Sequence, residues 1–351
     1  MAEGHAGGPL KSVRSVEVAA DRTLVPVDRP AVAPADGEVL VEVAYCGICG
    51  SDLHFRDVPE LFPAGTVPGH ELSGRVAAVG PGVEGWSVGD RVCVLPFAQC
   101  GECELCRSGN EQVCPHAVPN GVGLGTGRPG GYAERLIVDE AMLFALPDAV
   151  DDRAGTLVEP LAVAVRAVAK ADLEAGEPVA VIGAGPIGLL TALVLREHGF
   201  ERVGVVSRNP ARGALAQALG LRVVAADALG PAPGAVFECA GTPAAARLAV
   251  DAVRPLGRVI LVGIAMEPLD LAAPALVLKE AEIRGALTYR RADFEAAIDL
   301  LARGRIPVNE LISSTAPLER AEDAFQALTA PGNTQVKVLL EPGTRREVSA
   351  S

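Results

Sequence analysis

Four cysteines, Cys100, Cys103, Cys106 and Cys114, stand at C-x2-C-x2-C-x7-C spacing. Four soft ligands so close together can close a tetrahedral shell around one metal ion. A closed shell leaves no position for substrate, so the predicted role is a structural zinc site. Upstream lie an isolated Cys49 and the tripeptide Gly69-His70-Glu71. A lone cysteine and a histidine arriving from two different turns suggest a second, open metal site, whose free position suits Lewis-acid work on an alcohol or carbonyl oxygen. Further on, the run from Val179 to Gly188 reads as a strand, a G-x-G-x-x-G turn and the start of an apolar helix. A closed zinc, an open zinc and a dinucleotide fingerprint together suggest metal-assisted hydride transfer.

In the fingerprint, Gly183 allows the tight turn, Gly185 lets a pyrophosphate approach the backbone, and Gly188 permits close helix–strand packing. The phosphates sit on the helix N-terminus, where free N–H groups and the dipole favour an anion. Pro186 and Ile187 in the turn, and Cys239, Val262 and Gly263 at later strand ends, complete the expected cofactor contacts. An NAD enzyme places an acid about 20 residues past the glycines to hold the ribose 2′-hydroxyl. Here the second strand ends in Ser207-Arg208-Asn209-Pro210, with no acid. Serine can donate to a phosphate and arginine can pair with one, so NADP(H) is expected over NAD(H). The alternative is that Arg208 is a solvated loop cation.

These groups need elements to hold them. From Val13 to about Val138 the sequence reads as short alternating strands broken by Gly and Pro, for example over 39–43 and 89–95, which predicts a small, strongly bent β unit. The rhythm changes near Glu159. A helix over 161–170 leads into alternating β and α segments, with strands at 178–182, 202–206, 222–226, 235–239, 258–262 and 282–286. Helices are read at 187–198, 211–219, 244–253 and 293–302, which argues a doubly wound parallel sheet. A last helix (318–328) and strand (335–340) probe back toward the first unit. The fold class is therefore α/β: residues 1–160 and 304–351 form the bent-barrel catalytic unit, and 161–303 the Rossmann unit. Residues 1–12, rich in Gly and Ala, are read as frayed.

A net charge of −13 repels phosphodiester backbones and anionic membrane surfaces, so neither nucleic acid nor membrane is an expected partner. No apolar run reaches spanning length. Met1 to Leu10 lacks a basic n-region and an apolar h-region, which argues against secretion. Eight cysteines then read as ligands and thiols, which need a reducing compartment, and the expected location is the cytoplasm. Cys46 and Cys93 sit in alternating strands and are expected to be buried thiols. His116 is assigned no role.

Taken in order, Gly47-Ile-Cys-Gly-Ser-Asp-x-His54, Gly69-His-Glu-x2-Gly-x5-Gly-x2-Val83, Gly-Asp-Arg-Val92, the cysteine cluster, Gly-Gly-Tyr-Ala-Glu134, Glu159-Pro160 and the glycine turn form a series. That series resembles the zinc-dependent medium-chain alcohol dehydrogenases, over about Val13 to Pro342. Glu159-Pro160, the run from Leu276 to Tyr289 and the following Asp293-Phe294 are most similar to the polyol, sorbitol, threonine and butanediol dehydrogenase branch. The resemblance implies a bent, GroES-like barrel and a homodimer or homotetramer. It implies that Cys49 and His70 hold a catalytic zinc, with Glu71 and Glu159 as competing carboxylate partners. It also implies that Ser51 and His54 relay the proton. By themselves, Ser51 reads as a turn residue and His54 as a surface histidine. The branch often has histidine where Arg166 stands, and the Ser207-Arg208 pair departs from its NAD members.

The expected activity is hydride transfer between NADP(H) and a secondary alcohol, vicinal diol or polyol, or the matching ketone. The alternatives are a zinc-independent enone or quinone reductase of the same superfamily and a non-catalytic NADPH-binding sensor. The substrate pocket is expected near Ser51, Phe55, residues 122–126, Glu159 and Tyr289, the last of which could equally be a packed aromatic.

Overall fold

The computed structural model describes residues 12–125, 127–229, 232–269 and 271–343. The N-terminal stretch read as frayed, residues 1–11, and Thr126 of the expected pocket lie outside the described residues. Strands β1 (Ser12–Val18) and β2 (Leu24–Pro30) pair antiparallel as a separate ribbon. β3 (Glu38–Gly47) carries Val39, Val41 and Val43 on one buried face, the period-2 pattern of a strand packed on a core. Helix α1 (Gly50–Phe55), β4 (Glu71–Val79) and β5 (Arg91–Val94) follow. Next come α2 (Glu104–Arg107) inside the cysteine cluster, then β6 (Arg135–Asp139) and β7 (Leu143–Ala145).

A short α3 (Asp152–Gly155) leads into α4 (Val158–Ala171), whose alanines at 162, 164, 167 and 171 are all fully buried. Alanine favours helix and lets neighbouring elements approach closely. The helix begins three residues earlier than the sequence reading placed it. Pro160 falls in its first turn, where no intrahelical N–H is needed. Glu159 is therefore a first-turn residue, aimed from a rigid element rather than from a loop.

The second half then alternates: β8 (Val179–Ile182), α5 (Pro186–Glu197), β9 (Val203–Val206), α6 (Pro210–Ala218), β10 (Arg222–Val223), β11 (Ala235–Glu238), α7 (Pro243–Ala252) and β12 (Arg258–Leu261). It continues through α8 (Ala273–Lys279), β13 (Glu282–Gly285) and α9 (Arg291–Ala302). The six strands form one parallel sheet in the order β10-β9-β8-β11-β12-β13. Val179 to Ile182 are buried without a break, as a strand covered on both faces requires. Strand order reverses between β8 and β11, and in such sheets ligands bind outside the carboxyl ends at that point.

The chain ends with α10 (Val308–Leu311), β14 (Ile312–Pro317), α11 (Ala321–Thr329) and β15 (Lys337–Glu341). β15 pairs with β3, so the last segment joins the first sheet, whose order is β14-β15-β3-β4-β5-β7 with β6 also on β3. Among the described residues no helix is long and apolar enough to cross a membrane.

Candidate metal and dinucleotide site

In the cysteine cluster the Sγ atoms of Cys100 and Cys106 lie 3.9 Å apart, Cys103 and Cys114 3.9 Å, and Cys114 and Cys100 3.6 Å. A tetrahedron with zinc–sulfur bonds of about 2.3 Å has edges of about 3.8 Å, so the four thiols fit zinc without rearrangement. The Cys103 and Cys106 N–H groups point at the sulfurs of Cys100 and Cys103, each at 3.4 Å. These donors favour thiolate over thiol. The Cys103 N–H, with that of Glu102, pushes the Cys100 pKa down to about 6.

The second group assembles where β3, α1 and β4 meet. One ligand atom from each of Cys49, His70 and Glu71 lies within 4.8 Å of the other two. Cys49 ends the turn after β3 and caps α1, while His70 and Glu71 lead into β4. His70 turns inward because Gly69 adopts φ +100°, and a Cβ there would overlap the Tyr132 ring. Asp52, wholly buried on α1, faces the His70 imidazole: its Oδ1 is 3.4 Å from Nδ1, and neither atom has another partner among the described residues. Its Oδ2 accepts from the Cys49 N–H at 3.0 Å and the Tyr132 hydroxyl at 2.8 Å. Burial pushes the His70 pKa down, but Asp52 and Cys49 outweigh it and the net shift is well upward. A carboxylate behind a ligating histidine orients it toward metal.

Both Glu71 oxygens are held by Lys337 Nζ, at 2.7 and 2.5 Å, and the same ammonium donates to the Ile48 carbonyl at 3.1 Å. Glu159 stands beside this group but outside the three-atom cluster. Burial, and then the negative charge of Glu71, raise its pKa to about 7 against the pull of His70. The Tyr289 hydroxyl faces the Glu159 carboxyl without closing a well-formed hydrogen bond. Tyr289 is fully buried, with its ring packed edge-on against Phe97 at 5.6 Å, so it is a core aromatic whose polar end reaches the site. Ser51 is half-buried and His54 exposed, three residues apart and so on one face of α1. Cys46 and Cys93 are buried thiols as expected.

At the glycine turn, Gly183 adopts φ +105° and a Cβ at Gly188 would overlap the Gly183 carbonyl. Gly185 has neither constraint: the nearest atom to a Cβ there is Arg212 Nη1 at 4.0 Å. Glycine at 185 thus keeps space open in front of the α5 N-terminus, whose first turn has no side-chain cap. That is a cradle for an anion. Cys239, Val262 and Gly263 sit at the carboxyl ends of β11 and β12, where the Glu238 carbonyl accepts from the Val262 and Gly263 N–H groups. Ser207 and Arg208 follow directly on β9. The Ser207 hydroxyl donates to the Asn209 carbonyl at 2.9 Å, and Arg208 is exposed beside a cleft of about 590 Å³ shared with Asn209, Pro210, Ala211 and Gly332.

Sequence reasoning missed four residues here: Asp52, Tyr132, Lys337 and Arg212. The first two lay inside motifs already quoted. Lys337 and Arg212 carried no local signal, because their partners are far away in the chain. Arg212 Nη2 reaches the Gln335 carbonyl at 3.4 Å while its Nε is buried and unpartnered.

Residues 35–148 match the alcohol dehydrogenase GroES-like domain, and 152–341 the glucose dehydrogenase C-terminus. The 2-dehydro-3-deoxy-L-galactonate 5-dehydrogenase of Pseudoalteromonas atlantica is 37% identical over 331 residues, covering 90% of this chain and 94% of that protein. The (R,R)-butanediol dehydrogenase of Bacillus subtilis is 35% identical over 341 residues, covering 90% and 95%. Among solved structures, a putative zinc-binding dehydrogenase of Sinorhizobium meliloti bound to NADP superposes with TM-score 0.86 at 27% identity, covering 95% of this chain and all of that one. The alcohol dehydrogenase rspB of Escherichia coli, complexed with NADH, gives 0.86 at 29% identity with the same coverage. Both halves of the sequence and the fold as a whole agree, and this chain belongs to the zinc-dependent medium-chain alcohol dehydrogenases, oxidoreductases acting on small-molecule alcohols.

Proposed function

We propose that the enzyme transfers hydride between NADP(H) and a secondary alcohol, vicinal diol or polyol, or the matching ketone. The observation that carries the cofactor assignment is the end of β9. It offers no carboxylate to a ribose 2′-hydroxyl. Instead it presents Arg208, exposed and without an ion pair among the described residues, at the cleft next to Ser207. A guanidinium there pairs with a 2′-phosphate. Arg212, beside Gly185, supplies a second cation toward the dinucleotide phosphates. The contact set comprises Gly183, Gly185, Pro186, Ile187, Gly188, Ser207, Arg208, Cys239, Val262 and Gly263. The solved relatives include one bound to NADP and one complexed with NADH, so the chain's own residues decide between the two.

Two zinc ions per chain fit the residues present: a structural ion at Cys100, Cys103, Cys106 and Cys114, and a catalytic ion at Cys49 and His70. Glu71 and Glu159 are the carboxylate partners of the latter. Lys337 occupies both oxygens of Glu71, which favours Glu159 for direct ligation. When bound, the catalytic zinc supplies Lewis-acid polarisation of the alcohol or carbonyl oxygen, and the dinucleotide gives or takes the hydride. Ser51 accepts the hydroxyl proton and His54 passes it to solvent. Asp52 fixes the imidazole of His70, and Tyr289 closes the apolar side of the pocket.

The catalytic unit spans residues 1–160 and 304–351 and the cofactor unit 161–303. Two copies would meet along β13, an unpaired sheet edge flanked by the exposed Val277, Leu278 and Leu287, giving a homodimer or homotetramer. Eight free cysteines with no disulfide support a reducing, cytoplasmic setting.

The test is kcat/KM with NADP⁺ and with NAD⁺ on a panel of diols, polyols and secondary alcohols, with and without chelator. Chelator-sensitive turnover with at least tenfold preference for NADP⁺, lost in Arg208→Ala, is the expected result. A preference for NAD⁺ overturns the cofactor assignment, and turnover indifferent to chelator overturns the zinc mechanism.

A further inference from the structure

We propose that Tyr132 is a positioning residue for the catalytic metal, acting through the hydrogen bond from its hydroxyl to Asp52. This rests on the reading that Cys49 and His70 hold that metal.

Tyr132 is fully buried, and its hydroxyl lies 2.8 Å from Asp52 Oδ2. An ionised carboxylate only accepts hydrogen bonds, so the phenol is the donor. The same oxygen accepts from the Cys49 N–H, and the other oxygen faces His70 Nδ1. One carboxylate therefore touches the residues that supply both the thiolate and the imidazole, one through the backbone and one through the ring. Among the described residues no cation pairs with Asp52 other than His70 itself. Tyr132 and the Cys49 N–H are the two fixed donors that set the carboxylate plane, and that plane sets where Oδ1 meets the imidazole.

The ring of Tyr132 adds a second constraint. It fills the space beneath Gly69, leaving no room for a Cβ there, and packs edge-on against Phe325 at 6.1 Å. Its hydroxyl is thus carried by a ring that cannot move away, directly behind the turn that presents His70. Removing the hydroxyl alone keeps the packing and frees Asp52. Outer-shell partners of metal-ligating histidines are worth roughly 10–100-fold in metal affinity. Tyr132 stands one bond further out, so the lower end, about tenfold, is expected.

The experiment is chelator competition on the full-length, zinc-loaded enzyme, following release of each zinc ion. It compares the wild type, Tyr132→Phe, Asp52→Asn and the double variant. Tyr132→Phe should release the catalytic zinc at about one tenth the chelator concentration, while the four-cysteine zinc is unchanged. In the Asp52→Asn background the same substitution should add nothing, since its route to His70 is already broken. Unchanged release from Tyr132→Phe overturns the proposal. So does an effect of equal size in both backgrounds, which means packing alone, or loss of both ions together, which means general destabilisation. A wild type that holds only the four-cysteine zinc refutes the underlying metal-site reading instead.

Discussion

Lys337→Met tests the buried pair beside the metal group. Lys337 is 2% exposed and Glu71 wholly buried, so neither charge is screened by solvent. All three ammonium protons are used, two by the Glu71 oxygens and one by the Ile48 carbonyl. Methionine fills a similar volume but donates nothing, leaving a buried carboxylate with neither of these bonds. Two hydrogen bonds to a charged group at about 1.5–3 kcal/mol each give roughly 3–6 kcal/mol. Breaking one partner of a buried ion pair costs about 3–5 kcal/mol, in agreement. For a unit of this size that corresponds to a fall of roughly 6–20 °C in Tm.

The assay is thermal and urea unfolding of zinc-loaded wild type, Lys337→Met, Glu71→Gln and the double variant. Because the penalty belongs to the orphaned carboxylate, the double variant should recover most of the loss. A single variant within about 1 kcal/mol of wild type would refute the reasoning, since the carboxylate would then have found another way to be satisfied. So would a double variant as unstable as the single, which would place the cost in packing.

Three further outcomes follow. Cys114→Ser should remove one zinc ion from the four-cysteine cluster and expose residues 100–114 to proteolysis, read by metal content and limited digestion, while the catalytic zinc stays. Glu177 is nearly buried and bonded to Arg254 and the Glu174 N–H. Burial pushes its pKa up, but Arg254 and that N–H outweigh it and the native pKa is lowered. A lowered carboxyl stabilises above its ordinary 4.5 and loses that contribution as pH falls through the native value. Glu177→Gln should therefore destabilise at pH 7, and the gap in urea midpoint should narrow only below about pH 4.5. Leu278→Glu on α8 should lower the oligomeric state measured by light scattering, because it puts a charge in the apolar flank of the β13 edge.

How much of this was legible depended on the range of the information. The cysteine spacing and the glycine turn are local, and both stood in the sequence because a few adjacent residues must satisfy one ion or one turn. Five of the six strands of the parallel sheet were also readable to within a residue at each end, since buried parallel strands are continuous apolar runs. β10 was read too long: only Arg222–Val223 pair, and Ala226–Ala228 turn away into a 3-10 helix. β14 was not foreseen because Ser313, Ser314 and Thr315 give it little apolar signal, and its place comes from pairing with β15. α8 went unread as well; three consecutive exposed or part-exposed apolar residues from Leu276 carry no one-sided periodicity. The helix expected over 318–328 is split, with Leu318–Arg320 forming a 3-10 turn before α11.

The least legible residues are also the ones that join the two chemistries. Asn333 accepts from Asn209 Nδ2 at 2.8 Å through its carbonyl, and Gln335 accepts from Arg212, so this segment touches α6 beside the Arg208 cleft. Two residues on, Lys337 holds Glu71 beside His70. The backbone between is pinned by β15 pairing with β14 and β3, and by the Val336 N–H donating to Ser313 Oγ at 2.8 Å. Residues 333–337 are therefore one short strand entry with the Arg208 cleft at one end and the Glu71–Lys337 pair at the other. No motif announces it, since the contacts that reach Asn209, Arg212 and Glu71 are made to residues more than a hundred positions away. A change in the cleft at Asn209 or Arg212 has a physical route to Glu71 that is only five residues long.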